Sequence, residues 1–131
     1  VGPRDIENGQ VMLARRDTHE KAATPMEGLE QSIQTLLEDI HKTMRHMATE
    51  YRDAHIFQAS TMEEVREAVD TKKGFALSPW CGERACEEHV KDEYGITTRC
   101  MPFELQDQAE GHVCACCGKP AKKMIYWARA Y

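Results

Sequence analysis

The sequence predicts an α/β chain of the α+β kind: a two-layer β-α-β-α-β-β domain, preceded by a long amphipathic helix and a strand remnant of an upstream α/β domain. Three observations carry this. All six cysteines fall between Gly74 and Tyr131, four of them spaced as a closed metal site. Apolar residues recur at helical spacing from Leu29 to Tyr51. From His55 onward, short apolar or β-branched runs alternate with segments carrying helix start signals. The divisions that follow are 1–22 for the remnant, 23–53 for the connecting helix and 54–131 for the metal-binding domain.

In chain order, Val1-Gly-Pro-Arg-Asp5 reads as a strand end entering a turn, in the middle of something larger. Asn8-Gly9 makes a turn, and Gln10 to Asp17 alternates as a strand with Val11 and Leu13 on one face. A hairpin-like piece of about twenty residues is below what folds alone, which assigns it to a larger sheet. Thr24-Pro25-Met26-Glu27 has the form of a capping box with Pro at the first helical position. Leu29, Ile33, Leu36, Leu37, Ile40, Met44, Met47 and Tyr51 then mark one face of a helix of about 27 residues, roughly 40 Å long. That stripe is expected to pack into a core, since the other face mixes both charge signs without a basic bias.

His55 to Ala59 is a short strand, and Thr61-Met-Glu-Glu64 is a second capping box opening a helix to about Thr71, with Met62, Val65 and Val69 inward. Gly74 to Ser78 is an apolar strand that Pro79-Trp80 turns toward Cys81. Glu83 to Tyr94 is a helix ended by Gly95, Ile96 to Phe103 a strand, and Ala121 to Tyr131 the last strand. The 17-residue acidic connection between the last two strands is long for a loop and needs something to hold it.

The cysteine pattern supplies the holder. Cys81-Gly-Glu-Arg-Ala-Cys86 is followed 27 residues later by Cys114-Ala-Cys116-Cys117-Gly118-Lys119-Pro120, a zinc knuckle in sequence form. Two thiolates sit on one tight turn, and Gly118 lets the chain bend back so that N–H groups point at the sulfurs. Four thiolates leave Zn²⁺ no open position, so Cys81, Cys86, Cys114 and Cys117 define a structural site that performs no chemistry. A segment under about 60 residues is marginal without a staple. Structural zinc contributes about 10–16 kcal/mol of apparent binding energy, so the metal is expected to be required for folding. Three disulfides are the competing use of six cysteines, but a knuckle in a cytosol-like composition favours metal.

Cys86 falls in the first turn of its helix, where the dipole favours thiolate, and Arg84 and Lys119 are placed to offset the excess negative charge. Cys100 reads as a small buried strand residue. Cys116, inside the knuckle, competes with Cys117 for the metal or points outward, and His112 is a possible substitute ligand. His41, His46 and His89 have no partner at metal spacing and read as ordinary helix residues.

The net charge of −5 argues against a nucleic-acid surface spread over the whole molecule, so any RNA contact is local and DNA is not a partner. No run of eighteen apolar residues is present, and the composition is that of a cytoplasmic protein without a membrane partner.

Gly74-Phe-Ala-Leu, Trp80-Cys81-Gly, Cys86-Glu-Glu, Arg99-Cys100-Met-Pro-Phe103, Cys114-x-x-Cys117-Gly-Lys-Pro120-Ala and Tyr126-Trp-Ala-Arg-Ala-Tyr131 together resemble the C-terminal zinc-binding domain of prolyl-tRNA synthetases of the archaeal and eukaryotic type. Upstream, Gly2-Pro-Arg-Asp5 and Arg15-Arg-Asp-Thr18 resemble the closing strands of the class II anticodon-binding domain of the same enzymes. The resemblance covers the whole chain. It implies proline–tRNA ligase activity in a longer protein, with ATP, Mg²⁺, proline and tRNA(Pro) as substrates and cofactor, and a homodimer. It implies that this stretch alone is inactive, its ATP-binding arginine motifs lying elsewhere. The family's zinc ligands fall on Cys81, Cys86, Cys114 and Cys117, and its fold resembles the C-terminal domain of translation initiation factor three. The resemblance also suggests that the Tyr131 carboxylate turns back toward the catalytic domain, and that Arg4, Arg15 and Arg16 touch tRNA phosphates. For those three arginines, surface salt bridges are the alternative. A reading of another class remains: a free-standing zinc-dependent protein-interaction module, with the long helix as its partner surface.

Overall fold

The structure is a computed structural model that describes residues 1–130. The chain divides into two compact units, Val1–Tyr51 and Arg52–Tyr131.

In the first unit, α1 (Pro3–Glu7) stands where a strand end was expected. The reason is local: Pro occupies the first helical turn, and the Asp5 carboxylate accepts the Gly2 N–H at 2.7 Å, closing the N-terminus. Asn8-Gly9 turns the chain, with Gly9 at φ 61°, into β1 (Gln10–Ala14), where Val11 is buried as expected. β1 pairs antiparallel with β2 (Lys21–Pro25), with Gln10 opposite Pro25 and Ala14 opposite Lys21.

This pairing overrides the capping box expected at Thr24 to Glu27. Thr24 and Pro25 finish a strand, Met26 N–H donates to the Gly9 carbonyl at 2.8 Å, and the helix starts three residues later. Proline is tolerated at a strand end because no ladder donor is needed there. The helix, α2 (Leu29–Ala54), begins after Gly28, whose φ is 71°. Its apolar stripe is not the core element expected. No residue of α2 is fully buried, and Leu37 and Tyr51 are 61% and 69% exposed. A two-stranded hairpin has too little area to cover a helix of about seven turns.

The second unit realises the predicted order. β3 (Ile56–Gln58), α3 (Met62–Arg66) continued by a π turn (Glu67–Thr71), β4 (Phe75–Trp80), α4 (Arg84–Tyr94), β5 (Ile96–Thr98) and β6 (Lys123–Arg129) build one sheet in the order β3-β4-β6-β5. β3 and β4 are parallel, as a crossover through α3 requires, and the other pairs are antiparallel.

The second capping box forms as read: Thr61 Oγ1 accepts the Glu64 N–H at 3.3 Å and Glu64 Oε2 accepts the Thr61 N–H at 3.2 Å. Thr61→Ala is therefore expected to lower stability by about 1 kcal/mol, read as a fall in the urea midpoint at unchanged slope. Gly74 is obligatory by close approach, since an added Cβ would lie 2.4 Å from the His55 carbonyl oxygen. Gly95 ends α4 in the left-handed region at φ 66°.

Side chains alternate across the sheet as strand geometry demands. Ala76, Ser78, Ile125 and Trp127 face α3, the π turn and α4, packing with Val65, Ala68, Val69, Val90 and Ile96. Trp127 Nε1 donates to the buried Ser78 hydroxyl at 2.9 Å, and Trp80 stands edge-on to Trp127 at 6.4 Å. On the opposite face, Leu77 and Met124 pack against a 3₁₀ segment (Phe103–Ala109) through Leu105 and Ala109.

That segment corrects the reading of the long connection as loop held by metal alone. The Gln106 side chain acts as a surrogate strand: its Nε2 donates to the Pro102 and Met124 carbonyls at 2.7 and 3.0 Å, and its Oε1 accepts the Met124 N–H at 3.2 Å. Two strand boundaries also move. β4 runs on through Pro79 and Trp80 instead of turning there. β5 stops at Thr98 because Arg99 N–H and the Cys100 carbonyl both bond the Tyr126 backbone, two residues opposite one. Cys100 consequently lies exposed, not buried.

Candidate metal centre

The centre is assembled where the end of β4, the start of α4 and the connection to β6 meet. β4 delivers Cys81, and Gly82 at φ 81° redirects the chain into α4. Glu83 is the N-cap, and its carbonyl accepts the Cys86 N–H at 3.1 Å, placing Cys86 in the first turn. The Cys114–Cys117 turn closes with Gly118 N–H donating to the Cys114 carbonyl at 3.0 Å, Gly118 standing at φ 71°. Cys114 N–H donates to the Lys119 carbonyl at 2.7 Å, and Val113 bridges Pro120.

Backbone hydrogen bonds then tie the turn to the sheet. Ala115 N–H donates to the Pro79 carbonyl at 3.1 Å and Lys122 N–H to the Trp80 carbonyl at 2.9 Å. The half-sites, with 27 residues between them in sequence, are thus registered by β4 itself.

The four sulfurs lie within 4.8 Å of one another. Cys86 Sγ is 3.7 Å from Cys114 Sγ, and Cys117 Sγ is 3.7 Å from Cys81 Sγ. These are not disulfide distances. They match the edge of a tetrahedron of thiolates bound at about 2.3 Å, which is about 3.8 Å. Cys81, Cys86 and Cys114 are buried and Cys117 is exposed. The arrangement is a closed one that can hold a metal ion.

The electrostatics divide the set. Burial pushes the Cys86 and Cys81 thiols up. Burial works the same way on Cys114, but N–H groups of Cys117, Cys116 and Cys81 and a hydrogen bond from Cys117 outweigh it and lower Cys114 to about 7. Lys119 is held charged by Glu83 at 2.7 Å and feels Cys117 and Cys81, so it offsets the thiolates as expected. Arg84 instead pairs with Glu88 at 2.8 Å.

The remaining singled-out residues are elsewhere. His112 lines a small pocket with Gln58, Ser60 and Gln108 and is not among the clustered ligand atoms. His46 and His89 pair with Glu50 and Glu93 one turn along their helices. Arg15 is engaged by Asp17 at 2.7 Å, by Asp39 and by Thr43, and its hydrogen bond holds the Asp17 carboxyl below the usual range. Arg4 lies on α1, and Arg16 is exposed in the turn after β1. Tyr131 lies outside the described residues. The sequence reading missed Gln106 and the Pro79 carbonyl, whose roles depend on partners distant in sequence.

Fold and centre together define an α+β domain closed around a four-cysteine cluster that can hold a metal ion. The family model "Prolyl-tRNA synthetase, C-terminal" matches residues 62–131. The chain belongs to that family. It is 50% identical over all 131 residues to proline–tRNA ligase 2 of Bacillus cereus and 50% identical to proline–tRNA ligase of Clostridium novyi. It spans 27% of the length of each. The crystal structure of prolyl-tRNA synthetase from Cryptosporidium parvum is 31% identical, with a TM-score of 0.89 over the whole of this chain and 27% of that one. Among the described residues, no helix is long and apolar enough to cross a membrane.

Proposed function

We propose that this chain is the C-terminal part of a proline–tRNA ligase, which joins proline to tRNA(Pro) at the expense of ATP. Identity of 50% to two such ligases along all 131 residues is the observation that carries the reading. In it, Cys81, Cys86, Cys114 and Cys117 hold one structural Zn²⁺, because four thiolates at tetrahedral spacing suit a soft divalent ion and leave no open position. The metal supports folding, and the chemistry, with ATP and Mg²⁺, belongs to the longer protein, a cytoplasmic homodimer. Residues 1–22 close an anticodon-binding domain, 23–53 connect, and 54–131 form the zinc domain. Tyr131 serves as a contact to the catalytic domain. Of the three arginines, Arg4 and Arg16 are the better phosphate contacts, since the Arg15 donors are committed to Asp17, Asp39 and Thr43.

The test is proline-dependent ATP–pyrophosphate exchange by the longer protein containing this sequence. Exchange with proline and not with other amino acids is expected. Its absence would favour the interaction-module reading, in which the exposed stripe of α2 is the partner surface.

A further inference from the structure

A fifth cysteine stands beside the four of this centre. The fifth, Cys116, is half-buried against the main core, while its neighbour Cys117 is exposed and completes the cluster. Cys116 Sγ lies 3.9 Å from the Cys86 carbonyl oxygen. The sequence offered Cys116 as a competitor of Cys117, its neighbour in the chain. In space it stands beside Cys86, on the other half-site.

We infer that Cys116 is a reserve ligand for the position held by Cys86. The inference rests on the metal-site reading above. A thiol already against the Cys86 backbone is placed to turn toward a vacated Cys86 position by a side-chain rotation, with the turn from Cys114 to Gly118 still fixed by its bonds to Lys119, Pro79 and Trp80. Cys81 has no such neighbour among the described residues: the sulfurs it meets, Cys117 and Cys114, are themselves in the cluster. Nor does His112 supply one for Cys117, since it lines a pocket with Gln58 and Gln108. The tight bite of Cys114 with Cys116 weakens the replacement site without abolishing it. The four ligand positions are therefore unequal, with redundancy built in at one of them.

The test compares metal content, the cobalt-substituted absorption spectrum and thiol alkylation in the 131-residue protein and four variants. Wild type and Cys116→Ser are expected to bind one metal per chain with a four-thiolate cobalt spectrum. Cys86→Ser is expected to keep one metal and four-thiolate charge-transfer intensity, with affinity reduced about tenfold or more. Cys81→Ser and the double variant Cys86→Ser/Cys116→Ser are expected to lose both. With metal bound, iodoacetamide labels Cys100 and Cys116 in wild type, whereas in Cys86→Ser only Cys100 is labelled. A three-thiolate spectrum, loss of metal, loss of fold, or continued labelling of Cys116 in Cys86→Ser each overturns the reserve role. Absence of metal from wild type overturns the metal-site reading itself, which separates the two failures.

Discussion

Stripping bound metal with a chelator at neutral pH is expected to abolish the near-ultraviolet circular dichroism of Trp80 and Trp127, and one equivalent of zinc to restore it. This is the largest effect expected for the chain. The cluster ties the end of β4 and the first turn of α4 to the connection before β6, and three of its four cysteines are buried. Apparent binding energies of about 10–16 kcal/mol for such sites rival or exceed the whole stability of a small domain. Cys114→Ser should reproduce the loss without chelator, because Cys114 is buried and has no spare thiol assigned to its place. The pH dependence follows in sign. Metal binding displaces protons from the ligand thiols, so acid opposes it, and the stabilisation that the metal brings is lost as pH falls. Acid titration of the zinc-loaded protein should release metal and tertiary signal together. Retention of both tryptophan signals in excess chelator would show that the sheet stands without the metal.

Trp127→Ala is expected to cost at least about 3–5 kcal/mol, read as a large drop in the urea midpoint of the zinc-loaded protein. Trp127 is 1% exposed, opposes Ala76 in the ladder and stands edge-on to Trp80. The indole also donates to Ser78, which is fully buried, so truncation strands that hydroxyl at a further cost of about 1–3 kcal/mol. A double-mutant cycle isolates this last contribution: Ser78→Ala should be less costly in the Trp127→Ala background than in wild type. Additive effects would mean that the hydrogen bond contributes nothing measurable.

Much of the second unit was legible before any coordinates. The order of its six elements, the capping box at Thr61, the stop at Gly95 and the choice of Cys81, Cys86, Cys114 and Cys117 as a cluster all rest on short-range rules. A cap is made by residues three apart, a helix stop by one left-handed glycine, and a knuckle by two cysteines on one turn.

Where the reading departed from the structure, a distant partner had intervened or an expected one was missing. Thr24 and Pro25 carry a genuine helix-start pattern, yet β1 claims them as a strand, since several ladder bonds outweigh one cap. The α2 stripe has the periodicity of a core helix, but periodicity reports only that a face is apolar and not what covers it. Cys100 sits in an apolar run, but two residues opposing Tyr126 end the ladder and leave it in solvent.

By itself, then, the sequence determined the order of the second unit's main strands and helices and the four cysteines that can close it, because those depend on neighbours within a turn or two. Only the tertiary structure decided that Gln106 extends the β6 ladder, that the Pro79 and Trp80 carbonyls register the two halves of the centre, and that Cys116 stands beside Cys86. Each of these joins residues 18 to 42 positions apart. Spacing along a chain says which groups can meet locally, whereas the pairing of strands brings such distant groups together.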